Sequence, residues 1–325
     1  MNPMRVTACA ALATIALATL APARAQTVYV SNERGNSISV IDGAMAKPIA
    51  TWPVGERPRG ITLSKDGRFV LVCVSNDNAV KVIDRQTGKI LREIGAGQDP
   101  EQFFLSGDGK TVFVADENDA AVSAIDLASG RVAFQVSVGK EPEGIAQSPD
   151  GKWLVVTSEE DDAVSWIDLA TQAVVSTMET EKRPRHVEFT ADGKELWIAA
   201  EVGGVVQIAD PKTRAITATI RFSIPGVADY KIMPCGIRFT PDGKTAVVAL
   251  GRADRIAVID VASRTVKATI PVGKRVWHLA LNADGTRAYT ANGLSNDVSV
   301  VDLVAGQVIA TVPAGVAPWG AVVGD

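Results

Sequence analysis

The chain has 325 residues, 46% of them hydrophobic and 5% aromatic, with 33 Lys and Arg against 37 Asp and Glu and a net charge of −4 at neutral pH. This mildly acidic balance lacks the basic footprint that nucleic-acid binding needs, and three cysteines are too few for a disulfide-built scaffold.

Taken from the N-terminus, Met1 to Arg5 form a basic n-region, Val6 to Leu20 an apolar h-region, and Ala23-Arg24-Ala25 an A-x-A cleavage site before Gln26. Residues 1–25 read as a signal peptide and residues 26–325 as the mature domain, expected in the periplasm. Val6-Thr7-Ala8-Cys9 looks like a lipoprotein box but precedes most of the h-region, so lipidation is not expected. The h-region is short for a bilayer, and no other stretch of about 18 apolar residues follows, so no membrane span is expected. Cleavage removes Arg5 and Arg24 and no acid, leaving 31 basic against 37 acidic residues and a net charge of −6. Cys73 and Cys235 remain, in repeats far apart, which argues against a disulfide between them.

From Thr27 the chain is a tandem repeat of 42 residues. An Asp closing an apolar run recurs at Asp42, Asp84, Asp126, Asp168 and Asp210, then at Asp260 after 50 residues and Asp302 after 42. The pair Asp-Gly keeps the same phase at Asp66, Asp108, Asp150, Asp192, Asp242 and Asp284. Such periods mean solenoids or propellers. Repeats begin at Thr27, Phe69, Thr111, Trp153, Glu195, Thr245 and Arg287, the fifth carrying eight extra residues between Arg221 and Gly236.

Each repeat predicts four short strands. In the second they are 69–74, 79–84, 89–94 and 101–106, rich in Val, Ile and Phe and divided by Gly, Asn, Asp and Ser. Asp-Gly in S-x-D-G predicts hairpin tips, with Gly at positive φ. The Asp ending each VID run predicts a side-chain-capped turn, a structural role shared by all seven. The expectation is an all-β, seven-bladed propeller of four-stranded blades. TVYV (27–30) aligns with a second strand and WGAVV (319–323) with a first, so one C-terminal and three N-terminal strands should close the ring. Trp153, Trp166 and Trp197 fall in strands and predict inter-blade packing, with Trp52 at a strand end.

VYVSN (28–32), AYTAN (288–292), NSISVID (36–42), DVSVVD (297–302), VGERPRG (54–60) and SPDGK (148–152) resemble the YVTN-type β-propeller repeat over the whole mature chain. Seven such repeats behind a signal peptide also look like the small exported propellers associated with pyrroloquinoline-quinone (PQQ)-dependent alcohol catabolism and an ABC transport system. That resemblance implies a non-enzymatic binding or scaffold role and a partner in a quinone-dependent dehydrogenase or transporter. It carries over no catalytic residues and no built-in cofactor, with PQQ as a candidate ligand. A monomer is expected. Related propellers that are lactonases or lyases supply the alternative.

Function should sit where repeats stop copying each other. Following the Pro of VGxxPxG, that phase reads Arg59, Glu101, Glu143, Arg185, Cys235, Trp277 and Trp319, and the next reads Gly60, Gln102, Gly144, His186, Gly236, His278 and Gly320. Arg59, Glu101, Glu143, Arg185, His186, Trp277, His278 and Trp319 are the candidate ligand- or partner-binding residues around one channel mouth. Three readings stay open. The first is a solvated mouth with an exposed Glu143–Arg185 pair. The second is a pocket in which Trp277 and Trp319 form an aromatic wall and Arg59 and Arg185 offer forked donors. The third is an active site using His186 and Glu143 as an acid–base pair. A metal site from His186, His278 and Cys235 has no supporting short-range spacing and is not expected; haem attachment is excluded by the absence of C-x-x-C-H.

Two features frame the mouth. The loops around Asp116, Glu117 and Asp119 and around Glu159, Glu160, Asp161 and Asp162 read as solvated acidic loops, or as a docking patch for a basic partner or a divalent cation. The extra segment, with Phe222, Tyr230 and Met233, reads as a silent insertion or as a flap over the mouth.

Overall fold

The computed structural model describes residues 26–324; residues 1–25, expected to be a signal peptide, lie outside the described residues. Among the latter, 28 strands, β1 to β28 in chain order, form seven four-stranded antiparallel sheets. The strands of the second repeat, Phe69–Val74, Ala79–Asp84, Ile90–Gly95 and Pro100–Leu105, fall within a residue of the predicted ones. No helix among the described residues is long and apolar enough to cross a membrane.

Blade 1 joins β28 (Pro318–Gly324) to β1 (Thr27–Asn32), β2 (Ser37–Asp42) and β3 (Lys47–Pro53), with Val28 opposite Val323 and Thr27 opposite Gly324. Blades 2 to 7 follow in order. Their innermost strands are β4 (Pro58–Leu63), β8 (Pro100–Leu105), β12 (Pro142–Gln147), β16 (Pro184–Phe189), β20 (Pro234–Phe239) and β24 (Val276–Leu281). Each contacts the next around the ring, and β28 completes it between β24 and β4.

The second and third strands of a blade are buried on both faces, which is why they read as continuous apolar runs rather than alternating ones. Seven apolar clusters result, each shared by two neighbouring blades. Trp166 meets Phe189 of the next blade edge-on at 6.1 Å, and Trp197 meets Phe239 at 5.3 Å. Trp153 is half-buried beneath Arg214, and Trp52 packs on Tyr29. Cys73 and Cys235 are both free and buried, each in a strand.

The repeat aspartates act on their own turns. Asp84 Oδ1 accepts from the backbone N–H of Gln86 and Thr87, and Asp66 accepts the Ser64 hydroxyl at 2.6 Å while Gly67 takes φ +67°. A second device latches blade to blade. Asn36, Asn78, Asp162, Asp254 and Asn296 are left-handed and accept from the backbone N–H of Arg57, Asp99, Arg183, Arg275 and Ala317, in each case 21 residues on.

Candidate functional site: the channel and its rim

Every innermost strand is bulged where it enters the channel. In β4 the register steps between Pro58 and Ile61, in β12 between Pro142 and Ile145, in β20 between Pro234 and Ile237, and the other blades do the same. A bulge leaves residues outside the ladder and re-aims their side chains. The bulges fall on the two divergent phases read from the sequence, although Gln102 and His186 keep ladder partners, and all eight candidate residues come together at one end of the channel. The residue two before each, Arg57, Asp99, Glu141, Arg183, Met233, Arg275 or Ala317, is left-handed in all seven blades.

The first bulge position lies in a layer of buried ion pairs. Arg185 donates from Nε to Glu143 Oε1 at 3.1 Å, with Nη2 2.7 Å from Oε2, and from Nη1 to Glu201 Oε2 at 2.9 Å. Glu159 Oε1 lies 3.3 Å from the same Nη1. Arg275 takes the other oxygen of Glu201 at 2.6 Å, and Arg183 reaches Glu159 at 2.6 Å. On the opposite side Arg59 bonds Glu33 at 2.9 Å and touches Glu101, while Arg57 spans Asp99 and Glu101. Glu101, Glu143, Arg185 and Glu201 are each 5% exposed or less. The Glu143–Arg185 pair is therefore formed but buried, and the expectation of a solvated mouth is corrected: the bulges point both side chains inward and neighbouring blades cover them.

Burial raises Glu201, yet Arg185 and Arg275 more than offset it and hold the carboxyl below its usual range. Glu159 is pushed up to about 9 by burial and by Glu143, against the pull of Arg185, and is a neutral acid at physiological pH. Arg185 sits well above its usual value because the surrounding glutamates outweigh its burial.

The tryptophans line this layer from blades 7 and 1. Trp277 is half-buried, with the Arg275 guanidinium 3.7 Å and that of Arg185 4.9 Å from its ring. Trp319 is 1% exposed and lies 5.6 Å from Arg59. They occupy adjacent blades as expected, but Trp319 faces the interior and presents no open wall. Room for the Trp277 ring comes from Gly293, where a Cβ would fall 2.5 Å from Trp277 Nε1.

The second bulge position forms a layer below. Inner strands approach so closely here that a Cβ at Gly144 would stand 2.7 Å from the backbone of Arg185 and His186, and one at Gly60 3.0 Å from Glu101 O. Side chains therefore alternate with glycines around the ring: Gln102, His186 and His278 are separated by Gly144 and Gly236. The two imidazoles meet at 5.4 Å, His278 stacks on Trp319 at 4.3 Å, and Gln102 Nε2 is 3.4 Å from His278 Nε2. His186 Nε2 accepts from Arg238 Nη1 at 3.0 Å and lies 3.5 Å from Glu188. Burial lowers both histidines, His278 well below its usual value with help from His186 and Arg238. Glu143 bonds Arg185 one layer up, so the expected His186–Glu143 acid–base pair is not assembled.

The acidic loops are divided: Asp116 and Glu159 are buried, whereas Asp119, Glu160 and Asp161 are exposed. Asp116 and Asp119 accept from the N–H of Gly97 and Gln98, and Asp161 and Asp162 from those of Lys140 and Arg183. Asp99, Glu101 and Glu117 bring carboxylate oxygens within 4.8 Å of one another; Arg57 and Arg59 pair the first two, while Glu117 Oε2 is buried without a hydrogen-bond partner. The inserted segment packs rather than hangs free. Phe222, Ile224 and Ile232 join the cluster between blades 5 and 6, Tyr230 is exposed, and Met233 Sδ lies 3.7 Å from Arg275.

Sequence reading singled out one ionic ring of three. The position after each second strand, Glu33, Ser75, Glu117, Glu159, Glu201, Gly251 and Gly293, keeps the same spacing and supplies most of the acids opposite the arginines. Its divergence at fixed phase was the available signal. Glu188 and Arg238, deeper in the channel, carried no such mark.

A family model described as YNCE-like beta-propeller matches residues 3–105 and 149–321. No curated protein matches the chain. Among solved structures, the chain is similar to hydrazine synthase of Kuenenia stuttgartiensis, at 26% identity over 85% of this chain and 92% of that one, with a TM-score of 0.75. A Bacteroides uniformis protein provisionally described as a 6-phosphogluconolactonase shares 18% identity over 92% and 99% of the two chains, with a TM-score of 0.76. The dihydro-heme d1 dehydrogenase NirN, solved with DHE, shares 18% over 91% of this chain and 74% of that one, at 0.68. The last two likenesses speak for the fold alone.

Proposed function

This chain belongs to the YNCE-like β-propeller family, and we propose that it is an exported, periplasmic binding or scaffold protein, not an enzyme, accessory to PQQ-dependent alcohol oxidation and its associated transport system. The observation that supports this reading is the closed rim. Arg59, Arg185 and Arg275 are paired with glutamates inside the fold, Arg57 and Arg183 are paired while partly exposed, and both histidines are buried with their pKa lowered. What remains for a partner is a rigid face of loop tips, set by the blade-to-blade latches.

The same pairing tests the quinone itself. A planar polyanion at the rim would need forked donors, and those of Arg59 and Arg185 already hold carboxylates. The rim as built does not fit PQQ, so the reading places quinone dependence with a partner enzyme. Surface plasmon resonance of immobilised residues 26–325 against a PQQ-dependent alcohol dehydrogenase should give saturable binding; no response would overturn the scaffold reading. Free PQQ by calorimetry, with and without calcium, checks the ligand question separately, and a one-to-one isotherm weakened by the double change Arg59→Ala and Trp277→Ala would restore it to the rim.

The second reading, a lactonase or lyase, draws support from His186, Glu188 and Arg238 lining one cavity. It requires turnover that His186→Ala lowers about 100-fold or more.

A further inference from the structure

Below the histidine layer the channel opens into a cavity of about 500 Å³, in the range of small-molecule sites. Gln102 and His186 stand at its inner end, and Lys65, Ser148 and Gly151 of the Asp-Gly hairpins at its outer end. It is thus reached from the face opposite the closed rim. Ile61, Leu63, Phe104 and Ile145 give it an apolar wall.

One charged group is built into that wall with an unused edge. Arg238 makes its three recorded bonds from Nη1 alone: to Glu188 Oε2 at 2.6 Å, to Ile237 O at 2.8 Å and to His186 Nε2 at 3.0 Å. Its Nε and Nη2 have no partner among the described residues, and the side chain keeps 36% of its surface exposed. Those two nitrogens form the side of a guanidinium that grips a carboxylate bidentately. The clamp on Nη1 fixes the plane of the group in advance, which lowers the ordering cost of binding. A second orphan adjoins it: His186 is 4% exposed, and its Nδ1 is buried without a partner. Charge sets the ligand's valence. Arg238 and Lys65 carry two positive charges against the one negative charge of Glu188, and Lys65 has no ion pair among the described residues.

We propose that the lower channel is a binding pocket for a small monocarboxylate with an apolar body, its carboxylate held side-on by Arg238 and its body against Phe104 and Ile145. The pocket meets the histidine layer at its inner end, shares no residue with the ion-pair layer of the rim, and does not depend on the scaffold reading.

Calorimetry of residues 26–325 with benzoate and hexanoate, against benzyl alcohol and hexanol, tests this directly. At least one acid should bind one-to-one with a dissociation constant below about 1 mM, and its alcohol at least tenfold more weakly. Arg238→Gln should weaken the acid tenfold or more, whereas Arg57→Gln at the rim should leave it unchanged. Ile61→Trp fills the pocket without removing the guanidinium and should abolish binding, which covers the case in which Arg238→Gln misfolds. Flat traces for both acids, equal affinity for acid and alcohol, or undiminished binding by both Arg238→Gln and Ile61→Trp would overturn the proposal.

Discussion

Replacing Arg185 by Met should reveal how much the rim depends on one cation. Glu143 has no other cationic partner among the described residues, whereas Glu201 keeps Arg275 and Glu159 keeps Arg183. The change thus strands one buried carboxylate, and breaking a buried pair in this way costs about 3–5 kcal/mol. Loss of the guanidinium from the Trp277 ring, 4.9 Å away, adds roughly 0.5–1 kcal/mol. Taking about 2 °C per kcal/mol for a chain of this size, the melting temperature should fall by roughly 7–12 °C. The stranded carboxylate would have its pKa raised in the fold, so the native state would hold a proton that the unfolded state gives up. The penalty should therefore be full at pH 8 and shrink towards pH 5. Differential scanning calorimetry of wild type, Arg185→Met, Glu143→Gln and the double variant measures both effects. The double variant should recover about 1–3 kcal/mol relative to additivity. A loss below about 1 kcal/mol, independent of pH and additive with Glu143→Gln, would show that the rim pairs behave as surface pairs and refute the reasoning.

Three further outcomes follow from the same geometry. Glu159, raised to about 9, binds a proton in the fold that the unfolded chain releases near 4.5, so wild-type stability falls as pH rises between these values. Glu159→Gln removes that slope, and its advantage in urea melts should widen by up to about 1.4 kcal/mol per pH unit across the window; parallel curves would refute this. Gly144→Ala drives a Cβ to 2.7 Å from the backbone of β16 and should cost about 1–3 kcal/mol by denaturant melts, while Gly107→Ala, with nothing nearer than 3.8 Å, should fall within about 0.5 kcal/mol. Equal effects would contradict the packing argument. Deleting residues 318–325 removes β28, leaves β1 as an open edge, and should replace one cooperative transition by a broader one of lower midpoint; an unchanged melt would contradict the closure.

The repeat made the fold legible because each blade needs the same turns. Asp-Gly tips and the closing Asp of each second loop are chemical requirements of the backbone, so they recur in phase and show through a single sequence. The rim was legible as divergence, and Arg59, Glu101, Glu143 and Arg185 do converge. Their burial was not legible, because it arises from a bulge that turns them inward and from glutamates 26 residues before or 16 after them. Part of the divergence also has a steric cause. Gly60, Gly144, Gly236 and Gly320 alternate with larger side chains because adjacent strands touch there, a constraint between blades that no single repeat displays. Glu188 and Arg238 escaped notice for a related reason: ordinary charged residues in a strand acquire meaning only when the ring sets them beside His186.

Buried ion pairs fill the rim, and both histidines lie 4% exposed or less beneath them. The chain has only two histidines, so an NMR titration of residues 26–325 resolves both imidazoles without ambiguity. Both are lowered by burial, so both should titrate below the free imidazole value near 6.5, His278 well below it. Stability should then decline below about pH 6.5, as the unfolded chain takes up protons the fold refuses. An imidazole titrating at or above about 6.5 would contradict the closed channel and return the rim to the enzymatic reading.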